Sequence, residues 1–468
     1  MDDDDDDIYL SSDEQSGIIT RCERMFITQN ELYFDVHEYE FAIDYYMDEP
    51  NIDKAFTLVL VASKQHPKSS EIKLRKAKLY LSKGKPEKAL HLIKSIQDLE
   101  SEKHEIESLW GFCLVETDAY QEAEIHFDKA INAASDDLDI SYYIATNLIN
   151  KEQFDLAIKY LEQTYLIDNT NPFAIYDLAF CYEKTNQLEM SVIFYTKFID
   201  IDPYSDNAWY NLGILYNRLE EYQDAVSSFD YALAINDKNA MALFNKANTY
   251  ANWGQYEIAI DLYNDFLKLE KDNVVAIYYT GECYEKLDRL DEAKAHYLAA
   301  LSFDTTFSEA WHGLGVVAFY EKNIAEATQM LEKAIQLDAD NPEFWFSFGN
   351  INKSIEGNEH KALYCYKRAT ELEPYDAEFW LNYAEMEKIT GNTEKAAKTL
   401  ESAYDMLDDD AELDFVLSAY YYELGNTIRS IELFNKARGL DVEMATAFFS
   451  NCTLKDEDKK IYTTIITH

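Results

Sequence analysis

The sequence predicts an all-α fold, a solenoid of about twelve helical hairpins stacked in one array. Three observations predict it: a period of 34 residues, a small side chain at one fixed place of every repeat, and a shortage of turn-forming residues. The 468 residues include only 13 Gly and 7 Pro, whereas 36 Tyr and 25 Phe supply a large area for aromatic packing. One hairpin cannot bury its apolar stripe alone, so successive hairpins must stack.

The charge of the chain excludes two classes of partner. Its 88 acidic and 42 basic residues give a formal net charge of −46, which repels phosphate backbones and anionic lipid headgroups. We therefore expect no binding to nucleic acid or to a membrane surface.

The amino terminus and the cysteines bear on the compartment. An aspartate run occupies 2–7, where a secretion signal would have a basic segment followed by an apolar stretch, and the longest apolar run nearby, 56–62, is too short to cross a membrane. The six cysteines include no Cys-x-x-Cys pair, which argues against a zinc site or a disulfide framework. The sequence thus predicts a soluble cytoplasmic protein.

The repeat is most distinct in the block that starts at Asp206. At the spacing of the repeat, this block contains Trp209, Leu212, Gly213, Tyr216, Tyr222, Ala225, Phe229 and Ala232. This pattern resembles the tetratricopeptide repeat. Steps of 34 residues give blocks that start at Val36, Ser70, His104, Leu138, Pro172, Asp206, Ala240, Val274, Ser308 and Pro342, and then at Ala377 and Ala411 after one inserted residue.

The repeats fill nearly the whole chain, from 36 to 444. Outside them we expect a disordered acidic tail at 1–17, a leading helix at 18–35, and a capping helix with a tail at 445–468. This division leaves no room for a catalytic domain. The resemblance implies that the array is a right-handed superhelix whose concave groove is lined by the first helix of each hairpin.

The twentieth place of each block tests the register, because the two helices of a hairpin cross there and only a small side chain lets their backbones approach. All twelve occupants are small: Ala55, Ala89, Ala123, Ala157, Ser191, Ala225, Ala259, Ala293, Ala327, Ala362, Ala396 and Ser430. The eighth place is also small in every block but the first. Gly84, Gly254, Gly391 and Gly425 share the fifteenth place, where the first helix ends and a left-handed residue is expected.

No motif in the sequence carries chemistry. It contains no P-loop, dinucleotide fingerprint, HExxH or GxSxG, and its histidines are scattered. Acids recur at the second place, where they complement the dipole of a helix, as Glu71 and Glu105 do. We therefore predict no catalytic residue, cofactor or metal, and we interpret the acids as the rim of the groove.

The fifth place of each block, which the resemblance puts on the concave wall, is mostly aromatic. We predict that it binds a partner protein together with two asparagines of the sixth place. The predicted residues are Tyr142, Tyr176, Tyr210, Asn211, Phe244, Asn245, Tyr278, His312, Phe346 and Phe415. The alternative is that these rings lie on the next helix and complete the core. If they face the groove, replacing Tyr210, Phe244 and Tyr278 by Ser abolishes binding and leaves the fold intact.

The sequence therefore predicts a non-catalytic scaffold whose acidic-rimmed, aromatic-lined groove binds a peptide or helical segment. The acidic rim favours a basic or neutral partner with apolar side chains. Three alternatives stay open: a structural protein that self-associates into homo-oligomers, a regulatory subunit of an enzyme complex, and an enzyme with an unrecognised site.

Overall fold

The computed structural model describes residues 11–49, 51–97, 103–134, 138–404, 406–407 and 410–442. These ranges form 25 α-helices, with no β-strand among them, which confirms the predicted all-α fold. The chain divides into two compact units, Met1–Ala208 and Trp209–His468.

The first unit contains eleven complete helices and the start of a twelfth. They are α1 (Ser12–Thr28), α2 (Val36–Asp48), α3 (Ile52–Gln65), α4 (Ser70–Ser82), α5 (Pro86–Lys94), α6 (Lys103–Val115), α7 (Tyr120–Ala133), α8 (Leu138–Asn150), α9 (Phe154–Ile167), α10 (Pro172–Lys184) and α11 (Leu188–Ile201). The boundary between the units falls inside α12 (Asp206–Arg218).

The second unit contains the other helices. They are α13 (Tyr222–Ile235), α14 (Ala240–Asn252), α15 (Tyr256–Leu269), α16 (Val274–Lys286), α17 (Leu290–Phe303), α18 (Ser308–Tyr320), α19 (Ile324–Leu337), α20 (Pro342–Lys353), α21 (Glu359–Leu372), α22 (Ala377–Ile389), α23 (Thr393–Ala403), α24 (Ala411–Glu423) and α25 (Thr427–Leu440).

Within each unit the helices pair into hairpins, and the hairpins stack. In the first unit α2 packs on α3, α3 on α4, and so on to α11; in the second the same order runs from α13 to α25. The first helices begin at the predicted block starts, except that α6 begins at Lys103 instead of His104. The predicted α-solenoid of helical hairpins is thus confirmed.

The close crossing of the two helices of a hairpin explains the small residues. All twelve side chains of the twentieth place are fully buried. Ser191 Oγ donates a hydrogen bond of 2.7 Å to the carbonyl oxygen of Ala179, which occupies the eighth place of the same repeat. In the last repeat, Ser418 and Ser430 donate to each other's carbonyl oxygens at 2.8 Å and 2.7 Å. A larger side chain at the twentieth place would separate the backbones.

In ten of the repeats the described turn inside the hairpin has a left-handed residue at the fifteenth place. Glycine supplies this conformation at Gly84, Gly254, Gly391 and Gly425, as predicted. In other repeats a residue with a side chain adopts it, with φ between 57° and 63°: Asp118, Glu152, Asn186, Glu220, Asp288 and Lys322. The hairpin imposes this backbone whether or not the sequence offers glycine.

Tryptophans at the fourth place fasten consecutive repeats. The indole Nε1 of Trp311 donates to the carbonyl oxygen of Thr305 at 3.0 Å, and that of Trp345 donates to the carbonyl oxygen of Ala339 at 2.8 Å. Trp380 makes the same bond of 2.9 Å to the oxygen of Pro374. Each bond ties a first helix to the loop that precedes it.

The leading helix differs from the prediction at both ends. It begins at Ser12, inside the segment predicted as a tail, because Ser11 and Glu14 form a capping box that satisfies the first backbone N–H groups. It ends at Thr28, since Gln29 adopts a left-handed conformation. The predicted capping helix after 444 and residues 1–10 of the predicted tail lie outside the described residues.

Candidate functional site

The aromatic side chains of the fifth place pack on the core more than the sequence predicts. The ring of Tyr176 lies 5.4 Å from the ring of Tyr195, and Phe346 lies 5.7 Å from Tyr366. In both pairs the second ring belongs to the twenty-fourth place of the same repeat, whose aromatic residues are at most 2% exposed. The fifth residue therefore covers a core ring.

Burial separates the predicted fifth-place residues into two groups. Phe415 and Tyr278 are buried, which favours for these two the alternative that the rings complete the core. The others are half-buried: Tyr142, Tyr176, Tyr210, Phe244, His312 and Phe346. The physical reason is the ring beneath them, because Phe415 lies 5.5 Å from Phe434 and Tyr278 lies 5.5 Å from Tyr297.

Several polar groups of the fifth place bond to the sixth residue of the next repeat. Tyr142 Oη donates to Asp177 at 2.8 Å in the first unit. In the second unit, Asn245 Nδ2 donates to Tyr210 Oη at 3.0 Å, and His312 Nε2 lies 2.8 Å from Ser347 Oγ.

Burial shifts the pKa of groups in these bonded pairs. It raises the pKa of Asp177 above the usual range of a carboxyl group. It also lowers the pKa of His312 to about 4, which keeps the imidazole neutral near pH 7. These bonds fix the spacing of first helices.

A pocket of about 490 Å³ lies between α12, α14, α15 and α16 of the second unit. We call it the asparagine pocket. Its lining consists of Asn217, Asn245, Asn248, Ala251, Asn252, Tyr256, Tyr263, Tyr279, Glu282, Cys283 and Lys286. Of the predicted binding residues only Asn245 lines it.

Helical spacing brings these side chains together. Asn245, Asn248 and Asn252 stand three and then four residues apart on α14, which places them on one face of the helix. Tyr279, Glu282 and Lys286 have the same spacing on α16 and lie at the same places of the next repeat. Two neighbouring helices thus present matched faces to one pocket.

Hydrogen bonds orient the amide groups of the pocket. Tyr263, whose ring is buried, donates its hydroxyl proton to Asn248 Oδ1. Asn245 Nδ2 donates to the carbonyl oxygen of Met241 at 3.0 Å in addition to Tyr210. Asn252 Nδ2 donates to Asn217 Oδ1 at 3.4 Å. Each carboxamide has two donor and two acceptor positions. Asn245 uses both of its donor positions in these bonds, whereas Asn248 and Asn252 have further donor and acceptor positions beyond them.

The lining of the pocket contains one acidic side chain, Glu282, and one basic side chain, Lys286. Glu282 accepts a hydrogen bond of 2.9 Å from Tyr278 Oη, and burial together with the nearby charge of Glu285 raises its pKa. Lys286 is the one basic residue of the lining, and it is exposed. Cys283 lies at the wall as a free thiol whose pKa burial raises to about 12, so it is inert as a nucleophile near pH 7.

A second cavity, of about 520 Å³, opens between α22 and α24. Three carboxylates, Glu378, Glu385 and Glu412, lie around an apolar floor that includes Leu381 and Val416. Glu378 and Glu412 occupy the second place of their repeats, where the sequence predicts the acidic rim.

Sequence reasoning missed most of the asparagine pocket. The missed polar residues are Asn217, Asn248, Asn252, Tyr279, Glu282 and Lys286. A signal was available, because three asparagines at helical spacing between 245 and 252 mark a polar face where a buried helix would be apolar. Within the described ranges, no group of three or more His, Cys, Asp or Glu side chains is arranged to hold a metal ion. No described helix is long and apolar enough to span a membrane.

Family models match several parts of the chain. Two models described as tetratricopeptide repeat match residues 194–227 and 228–261, and residues 174–205, 280–307 and 308–341, respectively. A model described as Iml2/Tetratricopeptide repeat protein 39 matches residues 25–142. No curated protein matches the chain.

Several solved structures also resemble parts of the chain. YrrB, described as a TPR protein with an unusual peptide-binding site, is 24% identical over 39% of this chain and 93% of its own, with a TM-score of 0.33. A tetratricopeptide repeat protein from Parabacteroides merdae is 18% identical over 53% of this chain and 97% of its own, with a TM-score of 0.45. PilF from Pseudomonas aeruginosa is 21% identical over 43% and 90%, with a TM-score of 0.37.

Proposed function

We propose that this chain, which belongs to the tetratricopeptide repeat family, is a non-catalytic scaffold that holds an extended segment of a partner protein in the asparagine pocket. Tetratricopeptide repeats serve in general as scaffolds for protein interactions. The pocket supplies a specific place for such an interaction on this chain.

The observation that carries the proposal is the set of four carboxamides at one pocket. A peptide unit offers one N–H donor and one C=O acceptor, and an asparagine side chain offers both complementary groups. Asn217, Asn245, Asn248 and Asn252 line the pocket together. This lining suits the main chain of an extended peptide, which displays donors and acceptors at regular intervals.

The charges favour a basic or neutral peptide. Glu282 lines the pocket, and Glu285 and Glu309 are close enough to influence its pKa. The net charge of −46 adds long-range repulsion of acidic partners. The Tyr279 and Tyr256 rings, also in the lining, offer apolar contact to the partner's side chains.

The buried thiols bear on location. Cys22, Cys113, Cys181, Cys283 and Cys365 are free. Free thiols suit a reducing compartment, so we propose that the protein is cytoplasmic.

Peptide selection tests the pocket. Peptides are first selected from a random display library on the intact protein. Fluorescence anisotropy then measures the affinity of these peptides for the wild type and for the variant Asn217→Ala/Asn252→Ala. These two amides bond to each other at the edge of the pocket, so their loss should leave the fold intact and weaken binding about tenfold, or about 1.4 kcal/mol.

The matched control is Asn132→Ala on α7, which removes an exposed amide far along the sequence from the pocket. Its affinity and its circular dichroism melting curve should equal those of the wild type. Equal affinity of the Asn217→Ala/Asn252→Ala variant, or selection of acidic peptides only, would contradict the proposal.

A further inference from the structure

Five large apolar side chains are exposed at two junctions of the first unit. Leu166 and Ile167 end α9, Phe173 is the second residue of α10, Ile201 ends α11, and Tyr204 follows in the loop. Between 45% and 82% of each side chain is accessible to solvent. We call these five residues the apolar edge. The last turns of α9 and α11 are neighbours, because Lys197 on α11 hydrogen-bonds to Tyr165 on α9.

The repeat pattern does not account for Leu166 and Phe173, whereas Ile167 and Ile201 occupy the thirtieth place, which is apolar in most repeats. At the twenty-ninth place, where Leu166 stands, the other repeats have polar or small residues. At the second place, where Phe173 stands, several repeats have an acid that complements the helix dipole, for example Glu105 and Asp139. An exposed Phe neither complements the dipole nor gains much by burial. These exposed side chains therefore call for a partner.

The charges around the edge are mainly negative; the exception is Lys197, whose Nζ donates a hydrogen bond of 2.8 Å to Tyr165 Oη. The sequence segments 165–173 and 198–206 contain Asp168, Asp200, Asp202 and Asp206 and no Lys, Arg or His. Asp168 accepts hydrogen bonds from Thr170, and Asp202 accepts one of 3.2 Å from the backbone N–H of Tyr204. These bonds hold two carboxylates beside the apolar side chains.

We propose that the apolar edge docks a basic amphipathic helix of a partner protein. The apolar face of that helix covers Leu166, Phe173 and Tyr204, and its Lys or Arg residues face the aspartates. A helix suits this surface because side chains three, four and seven residues apart form one compact apolar row. A second copy of the chain suits it poorly, since each copy carries a net charge of −46.

A model peptide tests the edge directly. The probe is a fluorescein-labelled helix of about 18 residues, built from Leu and Lys with one apolar face. A scrambled peptide of the same composition has the same charge and no apolar face. Fluorescence anisotropy at about physiological salt should show the amphipathic peptide binding the wild type about tenfold more tightly than the scrambled one.

The variant Leu166→Ser/Ile167→Ser/Phe173→Ser should bind the amphipathic peptide about tenfold more weakly. All three side chains are exposed, so its circular dichroism should not change. The matched control, Leu269→Ser/Phe303→Ser, removes two exposed apolar residues from the ends of α15 and α17 in the second unit and should bind as the wild type does.

Equal affinity of the wild type and the edge variant would overturn the proposal. So would sedimentation of the wild type as a dimer that the edge variant fails to form, because the occupant would then be a second copy. Binding at the apolar edge is independent of the asparagine pocket, so Asn217→Ala/Asn252→Ala should retain its affinity for the amphipathic peptide.

Discussion

The ring of Phe229 lies directly on Gly213, where an added Cβ atom would come within 2.7 Å of the ring. Gly281 under Tyr297 and Gly349 under Tyr366 show the same separation. The glycine of the eighth place thus makes room for the ring of the twenty-fourth. Gly213→Ala should overpack this contact and lower the free energy of unfolding by about 1 to 3 kcal/mol, measured by urea denaturation.

Gly439→Ala is the matched control for this substitution. Gly439 lies in α25 and has no neighbouring heavy atom within 4 Å of the added Cβ. Alanine has the higher helix propensity, so the control should keep its stability or gain up to about 1 kcal/mol. A loss of equal size in both variants would show that the Phe229 contact is not the cause.

The left-handed turn residues offer a stabilising substitution. Glu220 has φ of 61°, a conformation that costs a residue with a side chain about 1 to 2 kcal/mol relative to glycine. Glu220→Gly should therefore raise the urea midpoint. Glu221→Gly, at the next residue with φ of −82°, should lower or preserve it. A higher urea midpoint for Glu221→Gly than for Glu220→Gly would contradict the left-handed role of residue 220.

The triple substitution Tyr210→Ser/Phe244→Ser/Tyr278→Ser should damage the fold, as the alternative that these rings complete the core predicts. Tyr278 is buried, and Phe244 lies 5.8 Å from Tyr263 and 5.1 Å from Phe266. Replacing a buried aromatic residue by a small one costs about 3 to 5 kcal/mol. The melting temperature measured by circular dichroism should fall sharply. An unchanged melting temperature would show that these rings do not contribute to the core.

His312 should make the protein sensitive to mild acid. Its pKa is about 4 in the fold and 6.5 when unperturbed, so below pH 6.5 the unfolded chain binds the proton more readily. Stability is therefore lost as the pH falls from 6.5 to 4, by up to about 3 kcal/mol from this group.

His312→Phe removes that group and places at the fifth position a side chain that Phe244 and Phe346 already provide in other repeats. The variant loses the bond to Ser347, so the melting temperature of each protein at lower pH is compared with its own value at pH 7.5. Between pH 7.5 and 4.5 its melting temperature should fall less than that of the wild type. Parallel curves would exclude His312 as the cause.

The register of the repeats was predictable because it depends on local rules. The close crossing of two helices admits only small residues. A small residue at the twentieth place, such as Ala225 or Ser191, therefore marks the crossing independently of the surrounding sequence. The start of α1 at Ser12 depends on a capping box at Ser11 and Glu14, a local signal that the predicted tail overlooked.

The faces of the fifth-place residues depend on tertiary packing. Phe415 and Phe346 occupy the same place of their repeats, but one is fully buried and the other half-buried. That difference comes from the surrounding side chains, which periodicity does not describe. The asparagine pocket was more predictable from the sequence than the burial of these rings, because the spacing of Asn245, Asn248 and Asn252 already puts them on one face of a helix.

The stacking order has a consequence for how the chain acquires its structure. Within each unit, the main contacts join helices that are adjacent or next but one in the sequence. Closing such contacts requires only short loops, so little chain entropy is lost before the packing of each hairpin stabilises it. A hairpin emerging from the ribosome already has its preceding neighbour to pack on, which allows the array to fold stepwise while synthesis continues.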